Sequence, residues 1–302
     1  MRLAELVKMM DGTSLDRDAE IKNLGLIGYD DDAMLVFALN EKYIQQAAAS
    51  SNVAGIILPQ ALRDLAPAHL GVIVAEDPRL AFFRLHNRLQ THTNFYGASR
   101  PTVIAKSAQV HPSAVISEQD VFIGERAVIG PHVCLLGKVR IEEDVVLRAG
   151  TILGAEGFEF MRFPGGILPV RHAGGVVIHA GAELQAGCCV SRAVFRSSTE
   201  IGTGTKIDSS VNVAHNVRIG ARCLIAASAY LAGSVRVGDE VWIGPGAVIS
   251  NGLTVGDRAC ITLGSVVVRD VAPGERVTGN FALPHRAFLA HWVNSGHQSR
   301  HQ

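Results

Sequence analysis

At 302 residues the chain is long enough for two domains, or for one domain and a repeat array. Lys+Arg and Asp+Glu balance at 28 each, which leaves no electrostatic footprint for nucleic acid or an anionic membrane. Apolar residues make up 48% and aromatic residues only 6%, a balance that suits many short regular strands better than an aromatic-rich globular core. The five cysteines (Cys134, Cys188, Cys189, Cys223, Cys260) form no CxxC pair and no zinc-finger spacing, so they read as reduced thiols of a cytoplasmic protein. Glu5 and Lys8 interrupt the start of the chain, which argues against a signal peptide, and no apolar run approaches the roughly 20 residues of a spanning helix.

Residues 1–99 lack any repeat. Helix-like segments at 3–10 and 78–90 alternate with apolar strand-like runs at 34–39, 53–58 and 72–75, which predicts a small α/β domain ending near Arg100-Pro101-Thr102. A six-residue period then begins. It runs through Val110 and Ile116, slips by one, and continues through Ile123, Ile129, Leu135, Ile141, Leu147 and Leu153. Ile178, Leu184 and Val190 begin three further units, and from Ile201 to Val267 an aliphatic residue returns at every sixth position without a slip. A small or β-branched residue follows four places after most of these starts, with Gly, Asp or Asn between. Such a period predicts a solenoid over 100–278, mainly β, whose aliphatic side chains stack in interior columns; three units, about 18 residues, close one triangular coil.

Two breaks interrupt the period. Residues 156–175, with Gly157-Phe158-Glu159-Phe160 at their start, form an insertion that projects from one face, either as a binding element or as a cover on the outer wall. The second, 195–200, is short and carries no reading. Residues 279–302 are expected to form a short helical tail with a polar end.

His215 occupies the third place of its unit, where side chains point outward at a corner, and Asn216 follows it. An outward imidazole, with an ordinary pKa of about 6.5, can act as a general base near neutral pH. A solvated or structural histidine fits the same spacing. One coil further along lies Gly233, whose backbone N–H is open to a substrate oxygen, or which is simply a turn glycine. One more coil leads to Asn251, a neutral hydrogen-bonding group. His111, His132, His172 and His179 share no column with His215, so no metal site is expected.

Four stretches go beyond the repeat: Phe37-Ala38-Leu39-Asn40-Glu41-Lys42-Tyr43, Gly154-Ala155-Glu156-Gly157-Phe158, Val213-Ala214-His215-Asn216-Val217 and Gly279-Asn280. With them the chain resembles the UDP-3-O-acylglucosamine N-acyltransferases of lipid A biosynthesis, within the hexapeptide-repeat acyltransferases. The resemblance implies a left-handed parallel β-helix, a homotrimer with sites in grooves between neighbours, and no cofactor. It implies acyl transfer from an acyl carrier protein thioester to the amine of a UDP-linked amino sugar such as UDP-3-O-(3-hydroxyacyl)glucosamine. On that likeness His215 is the base and Gly233 the oxyanion donor; Asn216 beside the base is expected to contact substrate, and so is Asn251, which could substitute for the family's second histidine. The uridine falls to Phe37, Asn40 and Tyr43: an aromatic face stacks a pyrimidine and an amide reads its edge. The chain departs from the family pattern at Gly252, where a second histidine is usual, at Ser191-Arg192-Ala193 and Asp208-Ser209-Ser210, and in a shorter stretch after Gly279. Two alternatives stay open: a short-acyl or acetyl-CoA-dependent N-acyltransferase on another UDP-amino sugar of surface polysaccharide, and a non-catalytic hexapeptide scaffold.

Overall fold

The computed structural model describes residues 1–279 and 284–287, so the expected tail 279–302 lies almost wholly outside the described residues, as does Asn280. From Val103–Ile104 onward the chain winds as a prism of three parallel sheets, of nine, eight and eight strands among the described residues. Most strands are two residues long because the period leaves room for no more: one side chain faces outward, the next inward, and the corner follows. Successive coils pair in register, Lys206 and Ile207 with Leu224 and Ile225, and these with Trp242 and Ile243.

The inward column Ile207, Ile225, Ile243 and Ile261 is buried to within 2% exposure, and Val213, Leu231 and Ile249 form its counterpart on a second face. Each such side chain contributes about 1.5–3 kcal/mol of burial. Backbone N–H groups just past the strands donate to the next coil, as from Ala214 to Leu231 O at 2.9 Å and from Ala232 to Ile249 O at 3.0 Å. The corners reveal a second period. Ser210, Asn216, Arg222, Ser228, Ser234 and Glu240, six residues apart, all hold φ between +56° and +63° to turn the chain. That region costs a side chain energy, least for Gly and Asn, which explains the crowding of such residues between the aliphatic positions.

Residues before the prism form helices α1 (Leu3–Leu6), α2 (Glu41–Ala49) and α3 (Pro78–His92) with strands β1 (Thr13–Arg17), β2 (Asn23–Leu24), β3 (Met34–Phe37), β4 (Val53–Leu58) and β5 (Gly71–Ala75). The sheet order is β1-β5-β4-β3-β2, parallel except for β1 against β5. Sequence periodicity finds β3, β4, β5 and α3 to within two residues at most ends. It misses β1, whose five residues Thr-Ser-Leu-Asp-Arg are mostly polar because one face stays exposed.

The insertion leaves the prism after Ile152–Ala155 and returns at Gly175–Ile178. Between them Phe160–Phe163 and Gly166–Pro169 pair as an antiparallel hairpin. Met161, Val170 and Ala173 from this arm share one buried core with Phe82, Phe83 and Leu85 of α3. Phe195, in the second break, belongs to the same core, with its ring 5.7 Å from Phe82, 4.9 Å from His86 and 6.1 Å from Tyr29 between centroids. The short break is therefore a peg that ties prism, arm and sheet together. Further ties come from Tyr29 Oη, 3.2 Å from Ser234 Oγ, and from Asp30, paired with Arg218 at 3.4 Å and Arg236 at 3.3 Å.

Candidate active site

Where arm, sheet and prism meet lies a cleft of about 590 Å³. His215, Gly233 and Asn251, one per coil, line its floor; Tyr29, Phe158 and Glu159 line its walls. The His215 side chain is 15% exposed and lies outside the aliphatic interior. Residue counting thus brings three candidates together.

Glycines make room for that ring on two sides. A Cβ on Gly233 would stand 2.7 Å from both Cε1 and Nε2 of His215, and one on Gly157 would stand 3.0 Å from its Cδ2. The Gly233 N–H donates to no other group among the described residues, while Ser234 N–H donates to His215 O at 2.9 Å and holds the two corners in stack. The neighbouring peptide is thus spent on structure and the glycine peptide is free.

Asn216 fixes the imidazole. Its Oδ1 accepts from Val194 N–H at 3.0 Å and its Nδ2 donates to Ser197 Oγ at 2.9 Å, so the amide orientation is set. Its own N–H donates to Thr199 Oγ1 at 2.9 Å. The same Oδ1 lies 3.2 Å from His215 Nδ1, which must therefore be the protonated nitrogen, leaving Nε2 with its lone pair toward the cleft. Asn216 itself lies behind the ring, on a different small depression from the His215 cleft. Its part is to position the imidazole; the expected contact with substrate is not where this geometry puts it.

Two residues that spacing does not connect to His215 arrive from the arm. Glu159 Oε2 lies 3.4 Å from His215 Nε2. The His172 ring meets His215 edge-on at 5.6 Å between centroids. Gly157 N–H donates to His172 Nε2 at 3.1 Å, which puts the proton on Nδ1, and burial holds the His172 pKa down at about 4. Arg171, beside it, is held by α3: its carbonyl accepts from His86 Nε2 at 2.7 Å while His86 Nδ1 accepts from Tyr96 Oη at 2.6 Å. An insertion has no phase relative to the repeat, so no counting rule leads from 215 to 159 or 172.

Phe37, Asn40 and Tyr43 do not line the His215 cleft of the same chain. Phe37 packs on Phe82 and Phe83 at 5.2 and 5.9 Å between centroids. Asn40 caps α2, its Oδ1 accepting from Tyr43 N–H at 3.2 Å, and Tyr43 is exposed. Gly252, at the cleft edge, adopts φ of +72°. Among the described residues no group of three or more His, Cys, Asp or Glu is arranged to hold a metal ion, and no helix is long and apolar enough to cross a membrane.

Residues 198–233 match the family model described as bacterial transferase hexapeptide (six repeats). The chain is 29% identical over 230 residues to the UDP-3-O-acylglucosamine N-acyltransferase of Coxiella burnetii, a match covering 68% of this chain and 66% of that protein. It is 29% identical over 245 residues to the enzyme of the same name from Pseudomonas fluorescens, covering 73% of this chain and 69% of that one. Among solved structures, the UDP-N-acetylglucosamine acyltransferase from Campylobacter jejuni aligns at 23% identity with a TM-score of 0.48, over 59% of this chain and 70% of that chain. The prism has the fold expected of the repeat, a left-handed parallel β-helix. The chain is thus similar to the UDP-3-O-acylglucosamine N-acyltransferases over about two thirds of their length, and carries the bacterial transferase hexapeptide repeat over residues 198–233.

Proposed function

We propose that the chain transfers an acyl group from a carrier thioester to the amine of a UDP-linked amino sugar, with UDP-3-O-(3-hydroxyacyl)glucosamine as the acceptor and acyl carrier protein as the donor. The observation that carries this reading is the His215 imidazole, anchored through Nδ1 by Asn216 and stacked on a glycine whose N–H is free. His215 Nε2 takes a proton from the acceptor amine as its nitrogen attacks the thioester carbonyl. The Gly233 N–H donates to the developing oxyanion. Collapse breaks the C–S bond, forms the amide, and returns the proton from His215 to the departing thiolate. No cofactor enters this scheme.

Relatives carrying the same name support the acceptor class. Residues 1–99 take the nucleotide in this reading, with Phe37, Asn40 and Tyr43 at the uracil and Asn251 contacting the substrate near the base. Those three lie apart from the His215 cleft of their own chain, so a homotrimer that places them beside a neighbour's base fits the reading. Leu224 and Trp242 stack in one exposed apolar ladder, Tyr230 and Val248 in another, the kind of face a second copy covers. Five free thiols suit the reducing cytoplasm.

The test is turnover of the full chain with UDP-amino sugars and either acyl carrier protein or CoA thioesters, read by product mass. His215→Ala is expected to lose activity by about 10²- to 10⁴-fold with the β-helix intact by circular dichroism. Unchanged turnover in that variant overturns the mechanism, and a product formed only from CoA thioesters overturns the donor.

A further inference from the structure

Glu159 is the feature of this site that the proposed reaction leaves unused. It sits at the root of the arm, after Phe158, which is 88% exposed, and before the hairpin strand Phe160–Phe163. Its carboxylate lines the same cleft as Gly233 and Asn251. Other polar groups around His215 are accounted for: Asn216 binds Nδ1, His172 is occupied by Gly157 N–H, and Tyr29 shares a hydrogen bond with Ser234. Glu156 is paired with Arg192 at 2.7 Å.

Glu159 differs in that its carboxylate has a single ion-pair or hydrogen-bonding partner among the described residues, His215 Nε2 at 3.4 Å. Because Asn216 takes the Nδ1 proton, a neutral His215 turns a lone pair toward a carboxylate oxygen. Two acceptors that face each other across a part-buried gap repel unless a donor stands with them. An ammonium is a compact donor of three N–H groups and one positive charge, able to serve both at once. An alcohol offers one hydrogen and no charge, and an amide N–H offers one hydrogen held in a plane.

We propose that Glu159 receives the ammonium group of the acceptor and selects cationic amines over the hydroxyl or acylated forms of the same sugar. The idea rests on the acceptor class proposed above and names what recognises it. On binding, the carboxylate swings aside from Nε2 and the ammonium donates to both; its first proton leaves to solvent by way of His215 Nε2, and the neutral amine then attacks as Nε2 takes the second proton, the one later returned to the departing thiolate. Glu159 stays ionised throughout and takes no proton. Its place on an inserted arm, outside the repeat, lets it reach over the base from the far side of the cleft.

Calorimetric binding of UDP-glucosamine and UDP-N-acetylglucosamine to the full chain tests this. The wild-type protein is expected to favour the amine by about tenfold, the worth of one charge-assisted hydrogen bond. The preference should shrink at high salt, vanish in Glu159→Gln, and return in part in Glu159→Asp. In turnover, Glu159→Gln should raise KM for the amine while kcat changes little. An equal preference in wild type and Glu159→Gln, with the nucleotide still bound, overturns the role of Glu159 alone. Binding of neither nucleotide overturns the acceptor reading and this inference together.

Discussion

His172 stands edge-on to His215, yet the two rings are locked in complementary states: His172 accepts at Nε2 from Gly157 N–H, whereas His215 donates at Nδ1 to Asn216. Burial keeps His172 and His86 neutral, each with its pKa lowered from 6.5 to about 4. The unfolded chain therefore binds more protons than the folded one between those values. Stability from these groups is complete above pH 6.5 and is lost progressively as pH falls toward 4. Urea midpoints measured from pH 8 to pH 4 should show that decline. His172→Gln, whose side-chain oxygen can still accept from Gly157, should flatten part of it; an undiminished slope in that variant removes His172 as a cause.

Gly233→Ala tests the floor of the cleft. The added methyl would meet the His215 ring at 2.7 Å, and the ring must tilt because Gly157 closes its other side. Misplacing a base by about 1 Å costs on the order of 100-fold in rate. Turnover should fall by about that factor while the thermal midpoint stays near wild type, since the glycine lies at an outward corner. A fully active variant would show that the ring has more room than the geometry allows.

Asn216 separates conformational from hydrogen-bonding demands. Asn216→Gly keeps the φ of +61° but strips the partners of Val194 N–H and Ser197 Oγ, for a loss of about 1–3 kcal/mol in stability. Asn216→Ala adds the strain of a left-handed turn, about 1–2 kcal/mol more. Chemical denaturation of the two variants should rank them in that order, and turnover should drop in both as the Nδ1 anchor is lost.

Phe195→Ala removes the peg shared by α3, the arm and Tyr29, at a cost of about 3–5 kcal/mol. Hydrogen exchange should rise in residues 156–175 well before it rises in the prism, where coils hold each other. Uniform loosening would mean that the arm is tied down elsewhere.

The prism was legible in the sequence because a fixed period writes itself into every coil. His215, Gly233 and Asn251 inherit that legibility: once the coil length is known, their alignment is arithmetic. Neighbours without a phase escape it. Glu159 and His172 reach His215 through a hairpin whose path depends on packing against α3, and Phe195 looks like filler in a broken repeat until its ring is seen among Phe82, His86 and Tyr29. Asn216 shows a third case. Its residue type and place were evident, but its amide turns back to Val194 and Ser197, so it serves the ring from behind.

The arm leaves the coil at a register shift between Leu153 and Ala155 and rejoins it in step, since Val176 and Ile178 pair with Val139 and Ile141 of the coil before. The irregularity is confined to that exit, so lengthening, shortening or swapping the segment leaves the re-entry in register. A scaffold built this way can exchange its reading head while keeping its frame, and a graft of a different arm between Ala155 and Gly175 is the natural place to change what meets the His215 corner.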